Sequence, residues 1–113
     1  MARLDPVIAA KALKAIGALG SEATVRGAYV FGSQVEDRAD RWSDIDVAAF
    51  VDGVEHWDVE RRAMASARAQ RVAGDDVELH FFPAAHLEHP PLASFAAYVQ
   101  KTGVILELSQ ARA

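Results

Sequence analysis

Two short runs in this 113-residue chain combine residue types suited to chemistry: Gly32-Ser33 and, after ten intervening residues, Asp44-x-Asp46. In an extended chain the side chains at i and i+2 point to the same face. Asp44, Asp46 and Ala48 then share one face, while Ile45, Val47 and Ala49 share the other. The second set is apolar and suits a core. The first sets two carboxylates side by side, where their charges repel, and a divalent cation is the simplest offset. Mg²⁺ suits such a pair, because it takes oxygen ligands and is commonly held by one or two carboxylates plus substrate phosphates. Gly32-Ser33 sits where a strand should end and a helical turn begin, a junction that presents free backbone N–H groups to phosphate. Glycine lets the backbone approach closely, and the serine hydroxyl adds a hydrogen bond. Asp-x-Asp alone arises by chance in about one chain in four of this length, but the combined pattern only on the order of once in a thousand.

The elements that must position these residues are legible as an alternation of helices and strands. Asp5-Pro6 is a helix start, with Asp as N-cap and Pro at the first helical position. Leu4, Ile8, Ala12, Ala15 and Leu19 follow at helical spacing, so the pattern predicts a helix over Pro6 to Leu19, closed by Gly20. Thr24 to Phe31 is β-branched and aromatic and reads as a strand. The ten residues after Gly32-Ser33 are polar, with room for a short helix or turn. Ile45 to Val51 is the second strand, and Asp52-Gly53 marks a turn. Val54 to Ala73 reads as a helix with a blurred apolar stripe; its acidic residues come early and its arginines late, which suits the helix dipole. Asp76 to Phe82 alternates and reads as the third strand. Pro83 to Pro91 reads as a loop. Leu92, Phe95 and Val99 mark a last helix capped by Gly103, Val104 to Leu108 a short final strand, and Ser109 to Ala113 a tail. This order implies an α/β fold, a small sheet covered by helices, with mixed and parallel strand arrangements both open.

Composition narrows the function classes. The length suits a single domain over residues 1–113, with one core and one site. Hydrophobic residues make up 51% and charged residues 25%, as in a globular protein. The net charge of −4, from 12 basic and 16 acidic residues, argues against non-specific nucleic-acid binding, which works by neutralising phosphates. The absence of cysteine removes disulfides, thiolate catalysis and cysteine-based zinc sites. The expected location is cytoplasmic, since no secretory signal and no membrane-length apolar run is seen.

The run from Phe31 to Val51, with Gly32-Ser33 and Ser43-Asp44-Ile45-Asp46, resembles the signature of the nucleotidyltransferase superfamily that includes DNA polymerase beta. The short chain is similar to its minimal members, the MNT domains. A further acidic strand downstream and the segment from Pro91-Leu92 to Gly103-Val104-Ile105-Leu106 extend the likeness over nearly the whole chain. The resemblance implies a nucleotidyltransferase fold with a small mixed sheet. It also implies a third carboxylate on a neighbouring strand. The third strand offers Asp76, Glu78 and His80 on one face and Val77, Leu79 and Phe81 on the other. Glu78, mid-strand, is the choice. Many relatives have Asp there, and the extra methylene shifts the carboxylate by more than about 1 Å, a displacement that matters to rate.

The resemblance further implies transfer of a nucleoside monophosphate from a nucleoside triphosphate, with ATP as the expected substrate, to a hydroxyl. Asp44, Asp46 and Glu78 would hold two Mg²⁺ ions, Glu78 would also act as general base, and Gly32 and Ser33 would grip the terminal phosphates. Arg38 and Arg41 are candidate triphosphate contacts, because Arg pairs well with phosphate; solvated loop arginines are the other reading. No acceptor-binding domain is visible, so the acceptor is expected to be a macromolecule. MNT proteins resemble antitoxins paired with HEPN ribonuclease toxins, some relatives transferring AMP to a toxin tyrosine. An antitoxin acting as AMP transferase on a HEPN-like partner is therefore the leading expectation. The alternative is a catalytically weak or inactive binding module that neutralises its partner by contact. Arg61, Arg62, Arg68 and Arg71 form either a basic partner face or a solvated surface. His56, His80, His86 and His89 show no metal-ligand spacing; His80 shares the face of Glu78 but is expected to have no role. Trp42 and Trp57 fit either core or partner contact.

Overall fold

The computed structural model describes residues 4–35 and 43–111. Helix α1 spans Pro6–Gly20. Its start follows the sequence chemistry: the Asp5 carboxylate accepts the Val7 N–H at 2.8 Å, and Pro6 fills the first turn, where no N–H is needed. Ala12, Ala15, Ile16 and Leu19 are buried, with Leu4 and Ile8 packed against the core. Gly20 ends the helix from within, and Ser21 is the C-cap, its hydroxyl donating to the Ala18 carbonyl at 2.7 Å.

Strands β1 (Val25–Phe31), β2 (Ile45–Val51), β3 (Val77–Pro83) and β4 (Val104–Ile105) form one sheet in the order β3-β2-β1-β4. The β1–β2 and β1–β4 pairs are antiparallel and β2–β3 is parallel, so the sheet is mixed. A parallel pair needs a long crossover, and helix α2 (Val59–Ala73) supplies it. Among the described residues the expected α/β architecture is present, a small mixed sheet with helices.

Helix α2 begins later than the charge pattern suggests. Gly53 turns the chain at φ 74°, Val54–His56 forms a single 3₁₀ turn, and Trp57 is extended. Val54 and Trp57 are thereby buried, and the Asp58 carboxylate caps the real helix by accepting the Arg61 N–H at 2.8 Å. The blurred stripe has a simple cause: only Ala65, Ala69 and Ala73 face inward. Small residues here allow close packing on α1, where Ala12 and Ala15 are also fully buried. Arg68 of α2 is tied at the surface to Glu22, in the turn that follows α1, by a two-pronged ion pair at 2.7 Å for each prong. That hydrogen-bonded guanidinium holds the Glu22 carboxyl below the usual glutamate range.

Arg61, Arg62 and Arg68 of α2 make intramolecular contacts, and Arg71 is exposed. Arg62 donates to the carbonyls of Val54 and Trp57, and Arg61 lies over the Trp57 ring at 4.1 Å. Trp57 is a core residue, packed on Phe81. Trp42 lies outside the described residues.

Two sheet faces result. Ile45, Val47, Ala49, Val51 and Val77 face α1 and α2 and are completely buried. On the opposite face Phe31, Ala48, Phe50 and Phe82 pack with Ala96 and Val99 of helix α4 (Phe95–Thr102). The segment read as a loop, Pro83 to Pro91, contains one helical turn, α3 (Ala85–Glu88), whose Leu87 side chain fills the space a Cβ at Gly27 would take. Leu92 does not mark α4: it precedes the helix, is 98% exposed, and Ser94 is the N-cap. The final strand is shorter than expected. After Leu106 donates its N–H to the Ala28 carbonyl, the chain leaves the sheet edge for a 3₁₀ turn at Leu108–Gln110, and Leu108 packs near α1. Among the described residues no helix is long and apolar enough to cross a membrane.

Candidate active site

The two halves of the sequence motif meet at one end of the open face. Strand pairing sets Phe31 opposite Asp46, so the residue after Phe31 lies beside the Asp46 carboxylate. That residue is Gly32, with φ 79°, and a Cβ there would stand 2.8 Å from Asp46 Oδ2. Both facts demand glycine: the left-handed backbone disfavours other residues, and the carboxylate occupies the side-chain space. Gly32–Gln34 then forms a 3₁₀ turn. Gln34 Nε2 bridges this turn to the segment entering β2, donating to the carbonyls of Ser43 and Asp44 at 3.4 and 3.3 Å.

Parallel pairing on the other side of β2 sets Asp46 against Glu78, and Ala48 against His80. Glu78 is exposed and Asp46 half-buried. His80 Nε2 lies 3.1 Å from Asp46 Oδ1. One ligand atom from each of Asp46, Glu78 and His80 lies within 4.8 Å of the other two. The His80 ring is held edge-on by Phe31, with centroids 5.0 Å apart, and by Phe95, at 5.9 Å.

The candidate residues therefore separate into groups. Gly32, Asp46 and Glu78 converge, with Ser33 next in the turn. Asp44 is exposed, one residue before β2 begins, and its carboxylate is not among the three converging groups. Arg38 and Arg41 lie outside the described residues. Asp76, read as sharing the face of Glu78, does not: it precedes β3, where strand alternation has not begun, and both its oxygens take Lys11 Nζ of α1, at 2.6 and 2.7 Å. His80 is the residue that spacing missed. Its signal was its place two residues after Glu78, but only strand register brings it to Asp46.

The donor set fits a divalent cation. Two carboxylates and an imidazole offer ligand atoms within 4.8 Å of one another, and oxygen donors of this kind suit Mg²⁺ or Mn²⁺.

A glycine-opened turn at the end of a central strand lies beside the Asp46 carboxylate, itself paired with Glu78 on the next strand of a small mixed sheet, an arrangement consistent with the nucleotidyltransferase fold. The chain belongs to the family described as Polymerase beta, Nucleotidyltransferase, whose model matches residues 14–106, from within α1 to the end of the last strand. No curated protein and no solved structure matches the chain.

Proposed function

We propose that the protein transfers AMP from ATP to a hydroxyl of a protein partner, as the antitoxin of a HEPN/MNT pair. Family membership supports nucleotidyl transfer in general. The observation that carries the reading is the contact between the Gly32 turn and the Asp46 carboxylate, with Glu78 alongside. It sets the Gly32-Ser33 turn next to candidate cation donors.

In this reading the N–H groups and hydroxyl of the Gly32-Ser33 turn orient the triphosphate, with Arg38 and Arg41 as further phosphate contacts. Asp46 and Glu78, with Asp44 at the mouth of the strand, would hold Mg²⁺. Bound cations supply charge stabilisation on the phosphates and a lower pKa for the attacking hydroxyl. The acceptor oxygen attacks the α-phosphorus, the bond to the bridging oxygen breaks, and pyrophosphate leaves. Glu78, exposed beside the candidate cation donors, takes the hydroxyl proton. Positioning and fixed charge account for most of the rate.

The test is intact-mass spectrometry of the partner encoded beside this chain, co-purified with it, before and after ATP and Mg²⁺. The expected result is a gain of one or more AMP units. Complex formation without mass gain favours the second reading, a binding module that neutralises its partner by contact. Two observations favour that alternative: glutamate rather than aspartate at position 78, and the Asp44 carboxylate outside the converging trio. No complex and no mass gain would remove both.

A further inference from the structure

His80 lies at the centre of the site, its side chain 26% exposed and its ring packed edge-on against Phe31 and Phe95, so that its imidazole is both fixed in place and open to the site. Its Nε2 is 3.1 Å from Asp46 Oδ1. Two donor atoms bound at right angles to one small cation, each at about 2.0–2.2 Å, are about 3 Å apart. The observed separation thus suits a shared ion without rearrangement. The same separation serves a hydrogen bond from Nε2–H to the carboxylate, and a cation would simply take the place of that proton. Glu78 completes the trio within 4.8 Å. The ring is also pre-aimed: Phe31 and Phe95 meet it at 65° and 87°, and its neighbour across the strand pair is the small Ala48.

We propose that His80 is a nitrogen ligand to the cation held by Asp46 and Glu78, making a mixed nitrogen–oxygen site that takes Mn²⁺ in preference to Mg²⁺. The proposal deepens the nucleotidyltransferase reading and rests on it for the presence of a cation. Its chemical basis is donor type. Mg²⁺ demands oxygen ligands in near-ideal octahedra, whereas first-row transition ions accept imidazole, and Mn²⁺ also accepts the two carboxylates.

The full-length protein is titrated with Mn²⁺, followed by electron paramagnetic resonance, alone and with a non-hydrolysable ATP analogue, and with Mg²⁺ as competitor. Bound Mn²⁺ should show coupling to ¹⁴N that becomes ¹⁵N coupling in protein made with ¹⁵N-histidine. His80→Gln should remove that coupling and weaken Mn²⁺ binding by about tenfold or more, the size expected for loss of a supporting ligand group, with less than about a twofold change for Mg²⁺. Because the label enters all four histidines, protein carrying His56→Gln, His86→Gln and His89→Gln together should keep the coupling, which assigns it to His80 even if His80→Gln folds poorly. Mn²⁺ bound without histidine coupling, or no Mn²⁺ binding up to about millimolar concentration, a hundredfold or more above useful cofactor affinity, overturns the proposal. Transfer is assayed separately. Histidine-coupled Mn²⁺ without transfer upholds the site and sinks the transferase reading; transfer without coupling does the reverse.

Discussion

The two faces of the sheet use one alternating pattern for different ends. Toward α1 and α2, every inward residue of β2 is apolar and fully buried, from Ile45 through Val51. On the other face the same strand runs from Asp46 through Ala48 to Phe50, from a half-buried acid to a fully buried aromatic. Helix α4 and the aromatic cluster cover the Phe50 end, where Phe50 stacks on Phe82 at 5.0 Å, and reach the acid end only as far as His80, through Phe31 and Phe95. The first face is built for stability. The second is divided: its covered end anchors, and its open end keeps carboxylates accessible at the cost of mutual repulsion. The candidate site lies where burial stops.

If that division is right, truncation at the covered end should be felt in folding. Phe50→Ala should cost about 3–5 kcal/mol in urea denaturation, the range for a buried aromatic. A loss under about 1 kcal/mol would mean that the aromatic end packs too loosely to serve as an anchor. At the open end the pattern should reverse. Asp46→Asn should lower nucleotidyl transfer by about 10²–10³-fold, about 2.7–4 kcal/mol of barrier. Its metal-free melting temperature should be unchanged or higher, because one repelling charge is gone. Near-normal activity in this variant would erase the functional distinction between the faces.

Gly32→Ala probes the seam between turn and strand. The left-handed backbone alone should cost about 1–2 kcal/mol for a residue with a Cβ. Displacing the Asp46 carboxylate should also slow transfer about 10- to 10²-fold. A stability loss with unaltered transfer would show that the close contact does not position the acid. The smallest effect belongs to the helical side. Glu22 is held below its ordinary pKa by the Arg68 hydrogen bond, so its stabilisation is present above the unfolded value, 4.5, and is lost as pH falls through the folded one. Glu22→Gln should lower the melting temperature slightly at pH 7, and the difference from wild type should vanish in strong acid. A difference that persists there would mean the pair acts through packing and not charge.

The sequence alone determined the local features. Helix α1 begins at Asp5-Pro6, and the Ile45–Val51 strand has an apolar and an acidic face, because capping and side-chain alternation depend on neighbours within a few residues. The Gly32-Ser33 and Asp44-x-Asp46 runs were likewise readable, as was Glu78 on its strand. Tertiary structure decided which groups meet. Pairing of Asp46 with Phe31 on one side and Glu78 on the other presses the acid against Gly32 and brings in His80, from 34 residues away. The same non-local forces turned Asp76 toward Lys11, left Asp44 outside the trio, and split Val54–Ala73 so that Trp57 could be buried. Strand register and long-range ion pairs join residues far apart in the chain, and no periodicity within one segment encodes them.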